Sequence, residues 1–120
     1  MVLVDTSVWV EHLRAGEAQL AELLLSEGVL CHPFVIGELA CGNLANRAEV
    51  LRLLDTLPKA MAAADDEARD FIESARLMGR GIGWVDVHLL ASAQLSRTRL
   101  WSMDRRLKGV ATELGLAFPT

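Results

Sequence analysis

One feature narrows the possible folds more than any other: short β-branched or apolar runs recur along the chain, and each leads directly into a stretch of helical periodicity. Val2-Leu3-Val4 meets Asp5-Thr6-Ser7, residues whose side chains cap helix starts, so a strand passes straight into a helix from about Thr6 to Arg14. Leu20, Leu23 and Leu24 recur at helical spacing until Gly28 breaks the pattern, and Val29-Leu30-Cys31 forms the next apolar run. Pro33, directly after His32, suits the first turn of another helix, where its missing N–H costs nothing. Val50, Leu53, Leu54 and Leu57 then predict a helix that Pro58 stops. Asp65, Asp66 and Glu67 complement the dipole of a helix striped by Ala68, Phe71, Ile72 and Ala75 and expected to end at Gly79. Gly79-Arg80-Gly81-Ile82-Gly83 reads as a connection, Val85 to Leu95 as a mostly buried helix, and Leu100-Trp101-Ser102-Met103 as a strand. A last helix follows Asp104, and Ala117-Phe118 is a candidate terminal strand.

Strands that alternate with helices pair in parallel, because parallel neighbours need such crossovers. The expected architecture is therefore α/β, a three-layer α/β/α sandwich around a mainly parallel sheet, in a single domain spanning residues 1–120. A chain of 120 residues closes one core comfortably, and 52% hydrophobic residues against 23% charged ones excludes a disordered chain. No charge-free run exceeds ten residues, well short of the ~20 that a spanning helix requires, so no membrane partner is expected. The opening MVLVD resembles neither a secretory signal nor an Arg-rich transit peptide, which predicts a cytoplasmic location. Cys31 and Cys41 belong to no CxxC pair and are expected to be buried thiols rather than a disulfide or zinc ligands.

The chemistry lies in carboxylates that stand alone. Asp5 is the only charged residue among the first ten, Glu38 the only one between Gly28 and Asn46, and Asp86 the only one between Gly81 and Ser96. Burying an isolated carboxylate costs several kcal/mol or more, so such groups are hydrogen-bonded, paired, protonated or metal-bound. Asp104, following a strand, is a fourth candidate. Asp5 and Asp104 also stand where helix N-caps are expected, and Arg80 or Arg99 offers a long-range partner for Glu38 and Asp86. Acids converging at one sheet edge would repel one another, and a divalent cation relieves this; oxygen-only ligands favour Mg2+ or Mn2+, which commonly act on phosphate esters.

With Val2-Leu3-Val4-Asp5-Thr6-Ser7, Glu38-Leu39-Ala40-Cys41-Gly42, Asp86-Val87-His88-Leu89-Leu90-Ala91-Ser92-Ala93 and Leu100-Trp101-Ser102-Met103-Asp104 in this order, the chain resembles the PIN-domain ribonucleases, and within them the VapC-type toxins of toxin–antitoxin pairs. The resemblance covers essentially the whole chain. It implies an acidic metal site of Asp5, Glu38, Asp86 and Asp104 that binds Mg2+, with Mn2+ as a substitute, and Thr6, Ser7 and Ser102 as neighbouring polar contacts. Ser102 stands where many relatives have Thr, and His32 replaces a small polar residue at its helix start. The implied activity is Mg2+-dependent hydrolysis of RNA, leaving 5′-phosphate and 3′-hydroxyl ends, neutralised by a VapB-like antitoxin. The resemblance further implies a homodimer, with Trp84 or Phe34 as candidates for an apolar interface, and DNA contact only through the antitoxin.

Net charge is −4, yet Arg97, Arg99, Arg105, Arg106 and Lys108 cluster against the single acid Asp104. These residues, with Arg80, are candidates to hold an RNA backbone or to meet an acidic antitoxin tail. Other classes have little support. No GxSxG elbow surrounds a serine, no GxxxxGK[ST] loop is present, and a phosphoacceptor module would need paired acids after the first strand. The stronger rival is a subunit of weak or no catalysis that mainly binds an antitoxin and regulates transcription through it.

Overall fold

The computed structural model describes residues 1–120 as three strands and seven helices in the expected alternation. They run β1 (Val2–Val4), α1 (Thr6–Ala15), α2 (Ala18–Leu25), β2 (Val29–Leu30), α3 (Pro33–Ala40), α4 (Arg47–Thr56), α5 (Asp65–Ala75), α6 (Trp84–Leu95), β3 (Arg99–Trp101) and α7 (Arg105–Glu113). The sheet is parallel, in the order β2-β1-β3, with Val2 opposite Val29 and Val4 opposite Trp101. Helices cover both faces, making the three-layer α/β/α arrangement. Every residue of β1 is buried, which is why it reads as a continuous apolar run rather than an alternating one.

The chain starts in the central strand, crosses to β2 on one side and later returns to β3 on the other. Such a reversal opens a crevice beyond the carboxyl ends of the strands, the usual place for a site in an open parallel sheet. Twenty-six hydrophobic residues form one buried cluster around this sheet. Residues 87–93 of α6 are all buried, so that helix shows no amphipathic stripe; it packs on β3 and α5.

The helix from Asp65 ends at Ala75 rather than at Gly79. Arg76 takes the left-handed conformation at φ 55°, the Leu77 N–H reaches back to the Ile72 carbonyl at 3.0 Å, and buried Leu77 seals the turn. Ala117-Phe118 forms no strand, only a single bridge from Ala117 to Leu100. Cys31 is buried as expected, but Cys41 is exposed at the end of α3, and the two are unpaired. Trp9 and Trp101 are core residues, whereas Trp84 is 42% exposed.

Candidate active site

The pairing of β1 with β3 builds the centre of the site. The Asp5 N–H donates to the Trp101 carbonyl at 2.9 Å, which brings the residue after β1 beside the residues after β3. Asp5 is 6% exposed and caps α1, its Oδ1 accepting from the Thr6 N–H at 2.7 Å. Its Oδ2 accepts from the hydroxyls of Ser7 at 2.8 Å and Ser102 at 2.7 Å. Those hydroxyls in turn accept backbone N–H groups, Ser7 from Met103 at 2.9 Å and Ser102 from Asp104 at 3.0 Å. The polar contacts expected at Ser7 and Ser102 thus form a closed network that fixes Asp5 and the turn leading to Asp104.

The other acids arrive from three helices. Glu38 projects from α3, and its Oε1 accepts from the Thr6 hydroxyl at 2.7 Å, tying α3 to the start of α1. Asp86 lies in the first turn of α6, where its Oδ2 accepts from the Gly83 N–H at 3.2 Å. Asp104 caps α7, with Oδ1 accepting from the N–H groups of Arg106 and Leu107, both at 3.0 Å. Asp5 and Asp104 are therefore N-caps, as their positions allowed. Glu38 and Asp104 are exposed and Asp86 is half-buried, so only Asp5 fits the expectation of an acid enclosed by apolar neighbours. Their helices bury the apolar residues beneath them and leave these carboxylates at the rim.

Electrostatics tie Asp86 to the other three. Burial pushes the Asp86 carboxyl above its ordinary value, its bond from Gly83 pulls it down, and the charges of Asp5, Asp104 and Glu38 push it further up. No cation neutralises the group. Arg80, expected as a partner, pairs instead with Glu113 at 2.8 Å, and Arg99 bonds the Ala117 carbonyl at 3.1 Å. The remaining ion pair joins Arg14 to Glu11, and His88 Nε2 lies 3.3 Å from Asp65 Oδ1. Asp86 Oδ1, Asp104 Oδ2 and Glu38 Oε2 have no hydrogen-bond partner and are free to bind a ligand. This all-oxygen, uncompensated donor set suits a hard divalent cation. In this conformation no three side chains stand close enough to enclose one.

The basic stretch does not form one surface. Arg97 precedes β3 and Arg99 opens it, at the end of the sheet opposite Ser102. Arg105 and Lys108 line one hollow of about 320 Å3 with Ser102 and Met103, where Lys108 also donates to the Thr120 hydroxyl at 2.9 Å. Two further features are a groove, which had no sequence signal, and an aromatic cluster that includes the interface candidates Phe34 and Trp84. A groove of about 560 Å3 runs from Thr6 and Glu38 along Val10, Leu13, Leu44 and Val50, and the rings of Phe34 and Trp84 meet the buried His88 ring at 4.8 and 4.5 Å. His32, in place of a small polar residue, still caps α3: its Nδ1 accepts from the Phe34 N–H at 3.0 Å.

Residues 2–113 match the family model of the PIN domain. The chain belongs to the PIN-domain family. Ribonuclease VapC32 from two strains of Mycobacterium tuberculosis, CDC 1551 / Oshkosh and H37Rv, is 48% identical over 118 residues, 98% of this chain and 95% of each relative. This PIN domain is thus of the VapC type. Two crystal structures share its fold. PAE2754 from Pyrobaculum aerophilum superposes with a TM-score of 0.61 at 18% identity, over 91% of this chain and 78% of its own. FitAcB from Neisseria gonorrhoeae gives 0.62 at 20% identity, over 93% of this chain and 94% of its own. No helix of this PIN domain is long and apolar enough to cross a membrane.

Proposed function

We propose that this VapC-type protein, a single domain of residues 1–120, is a metal-dependent endoribonuclease toxin neutralised by a cognate antitoxin. The observation that carries the reading is an all-oxygen set of acids in no ion pair, with Asp5 oriented by Ser7 and Ser102, Glu38 by Thr6, and Asp86 and Asp104 set at the starts of α6 and α7. Asp5, Glu38, Asp86 and Asp104 would hold Mg2+, with Mn2+ as a substitute, and the chemistry that ion would supply when bound is an activated water and neutralised charge on the leaving oxygen. The protein's own share is orientation. Ser7 and Ser102 fix the Asp5 carboxylate, Thr6 holds Glu38, and the Gly83 N–H aims Asp86. Arginines beside these acids contact the RNA backbone, since phosphate contacts position a nucleic acid and other contacts specify it.

The antitoxin is assigned to the groove that begins at Thr6 and Glu38, where an apolar peptide segment would also block the acids. DNA is reached only through that partner. The exposed Phe34 and Trp84 support a homodimer face, and light scattering of wild type and a Trp84→Lys variant tests it. For the nuclease, purified cellular RNA is incubated with Mg2+ or Mn2+, with EDTA, and with folded Asp5→Asn and Glu38→Gln variants. Discrete fragments lost with EDTA and in both variants are expected. A folded wild type that cuts no RNA class with either metal would shift the assignment to antitoxin binding without catalysis.

A further inference from the structure

Arg105 and Arg106 follow Asp104 directly and point to different surroundings. Arg105 opens onto the hollow beside Ser102, whereas Arg106 lies across Gly81. Gly81 has φ +80°, and a Cβ placed there would come within 3.0 Å of both Cδ and Nη1 of Arg106. The missing side chain is what allows the arginine to lie against the backbone. The left-handed φ makes glycine the residue that occupies this position without strain.

This seat joins two parts of the site. The Arg106 N–H is bonded to Asp104 Oδ1, and Gly81 stands two residues before Gly83, whose N–H holds Asp86. The guanidinium therefore spans from the start of α7 to the loop that opens α6, the two helices that carry Asp104 and Asp86. It makes no ion pair and no side-chain hydrogen bond, although four acids gather in this region. Arg80, Arg99 and Lys108 are each committed to protein partners, and Arg97 lies at the far end of the sheet. A planar guanidinium with free donors, lying beside the Gly81 backbone, suits bidentate binding of a phosphodiester.

We infer that Arg106, seated on Gly81, is the substrate-positioning residue that binds an RNA phosphate next to the one that is cut. The inference rests on the ribonuclease reading. It assigns a role to a glycine as well as to an arginine, and the two act as a unit. Gly81→Ala strains the loop and pushes Arg106 off its seat, so it reproduces the loss caused by Arg106→Ala.

The test measures cleavage of a defined single-stranded RNA with Mg2+ across a salt series, with circular dichroism and melting recorded for each variant. Arg106→Ala is expected to lower kcat/KM roughly ten- to a hundredfold, the range of a charge-assisted phosphate contact, with native melting. The slope of log kcat/KM against log salt should fall by about one, and Arg106→Lys should recover part of the rate. Gly81→Ala should lower kcat/KM in the wild type and change little in the Arg106→Ala background, since the two act through one contact. An Arg106→Ala protein with wild-type kcat/KM and salt slope overturns the inference, as does one that loses only antitoxin binding. Additive losses from Gly81→Ala and Arg106→Ala overturn the shared seat. A folded wild type that cleaves no RNA overturns the ribonuclease reading and this role with it, an outcome distinct from an active Arg106→Ala enzyme.

Discussion

The Ser102 hydroxyl donates a 2.7 Å hydrogen bond to Asp5 Oδ2 and accepts one from the Asp104 N–H, so a single oxygen couples two acids that are far apart in sequence. The parallel register that sets Val4 opposite Trp101 brings them together. Ser102→Ala removes a bond to a buried carboxylate and strands the Asp104 N–H. It should cost about 1–3 kcal/mol of stability, read from urea midpoints, and lower cleavage at least ~10-fold as Asp5 loses its orientation. Ser102→Thr keeps the hydroxyl and should retain most of the activity.

Repulsion among the acids makes a second prediction. Asp86 feels the charges of Asp5, Asp104 and Glu38 without a cation to offset them, so Asp86→Asn should raise the melting temperature in EDTA by a few degrees while abolishing cleavage. Adding Mg2+ should raise the melting temperature of the wild type more than that of the variant, because ligand binding to the folded state stabilises it in proportion to affinity. A wild type whose melting ignores Mg2+ at high concentration would contradict the metal assignment of these acids.

His32 gives the stability a pH dependence of defined sign. Its ring is 1% exposed, and burial, helped by the charge of His88, lowers its pKa from 6.5 to about 4. The folded chain therefore keeps His32 neutral while the unfolded chain takes up a proton. The stabilisation is complete above about 6.5 and is lost as pH falls toward about 4. His32→Asn still caps α3, since its side-chain oxygen can accept from the Phe34 N–H, but has nothing to titrate. Urea midpoints measured from neutral pH downward should fall more steeply for wild type than for His32→Asn, even though the variant loses packing against Phe34.

Arg76 holds a left-handed conformation at φ 55° on an exposed helix end. Glycine adopts that conformation without a Cβ clash, so Arg76→Gly should stabilise the protein by about 0.5–1 kcal/mol and leave cleavage unchanged. Equilibrium unfolding checks both the sign and the size.

The alternation of runs and periodic segments was enough to place β1, both crossovers and the parallel sheet, because each local signal agreed with the same topology. The end of α5 was not legible, since buried Leu77 stops the helix and makes an arginine do what Gly79 was expected to do. Asp5, Glu38 and Asp86 stood out through isolation in sequence, and Asp104 through its place after a strand. Their exposure did not follow from it: Glu38 and Asp104 lie at the rim because apolar neighbours such as Leu39 and Leu107 turn inward beneath them. The basic stretch read as one patch, but β3 runs through it and separates Arg97 and Arg99 from Arg105 and Arg106. Sequence proximity cannot report which side of a strand a charge will reach.

Asp104 is both a helix cap and a candidate ligand, and two substitutions separate the roles. Its Oδ1 accepts the N–H groups of Arg106 and Leu107, whereas Oδ2 has no partner. Asparagine keeps a capping oxygen and removes the charge, so Asp104→Asn should stay within about 0.5 kcal/mol of wild type in urea unfolding. Alanine removes the cap as well and should cost about 1 kcal/mol. If Asp104 acts only as a cap, Asp104→Asn keeps wild-type cleavage and only Asp104→Ala is impaired, in step with its stability. If it also binds the ion, both variants lose cleavage to a similar degree, and the fully folded Asp104→Asn protein responds less to Mg2+ in melting than wild type does. The second pattern is the expected one, because a cap alone has no need of the charge that raises Asp86.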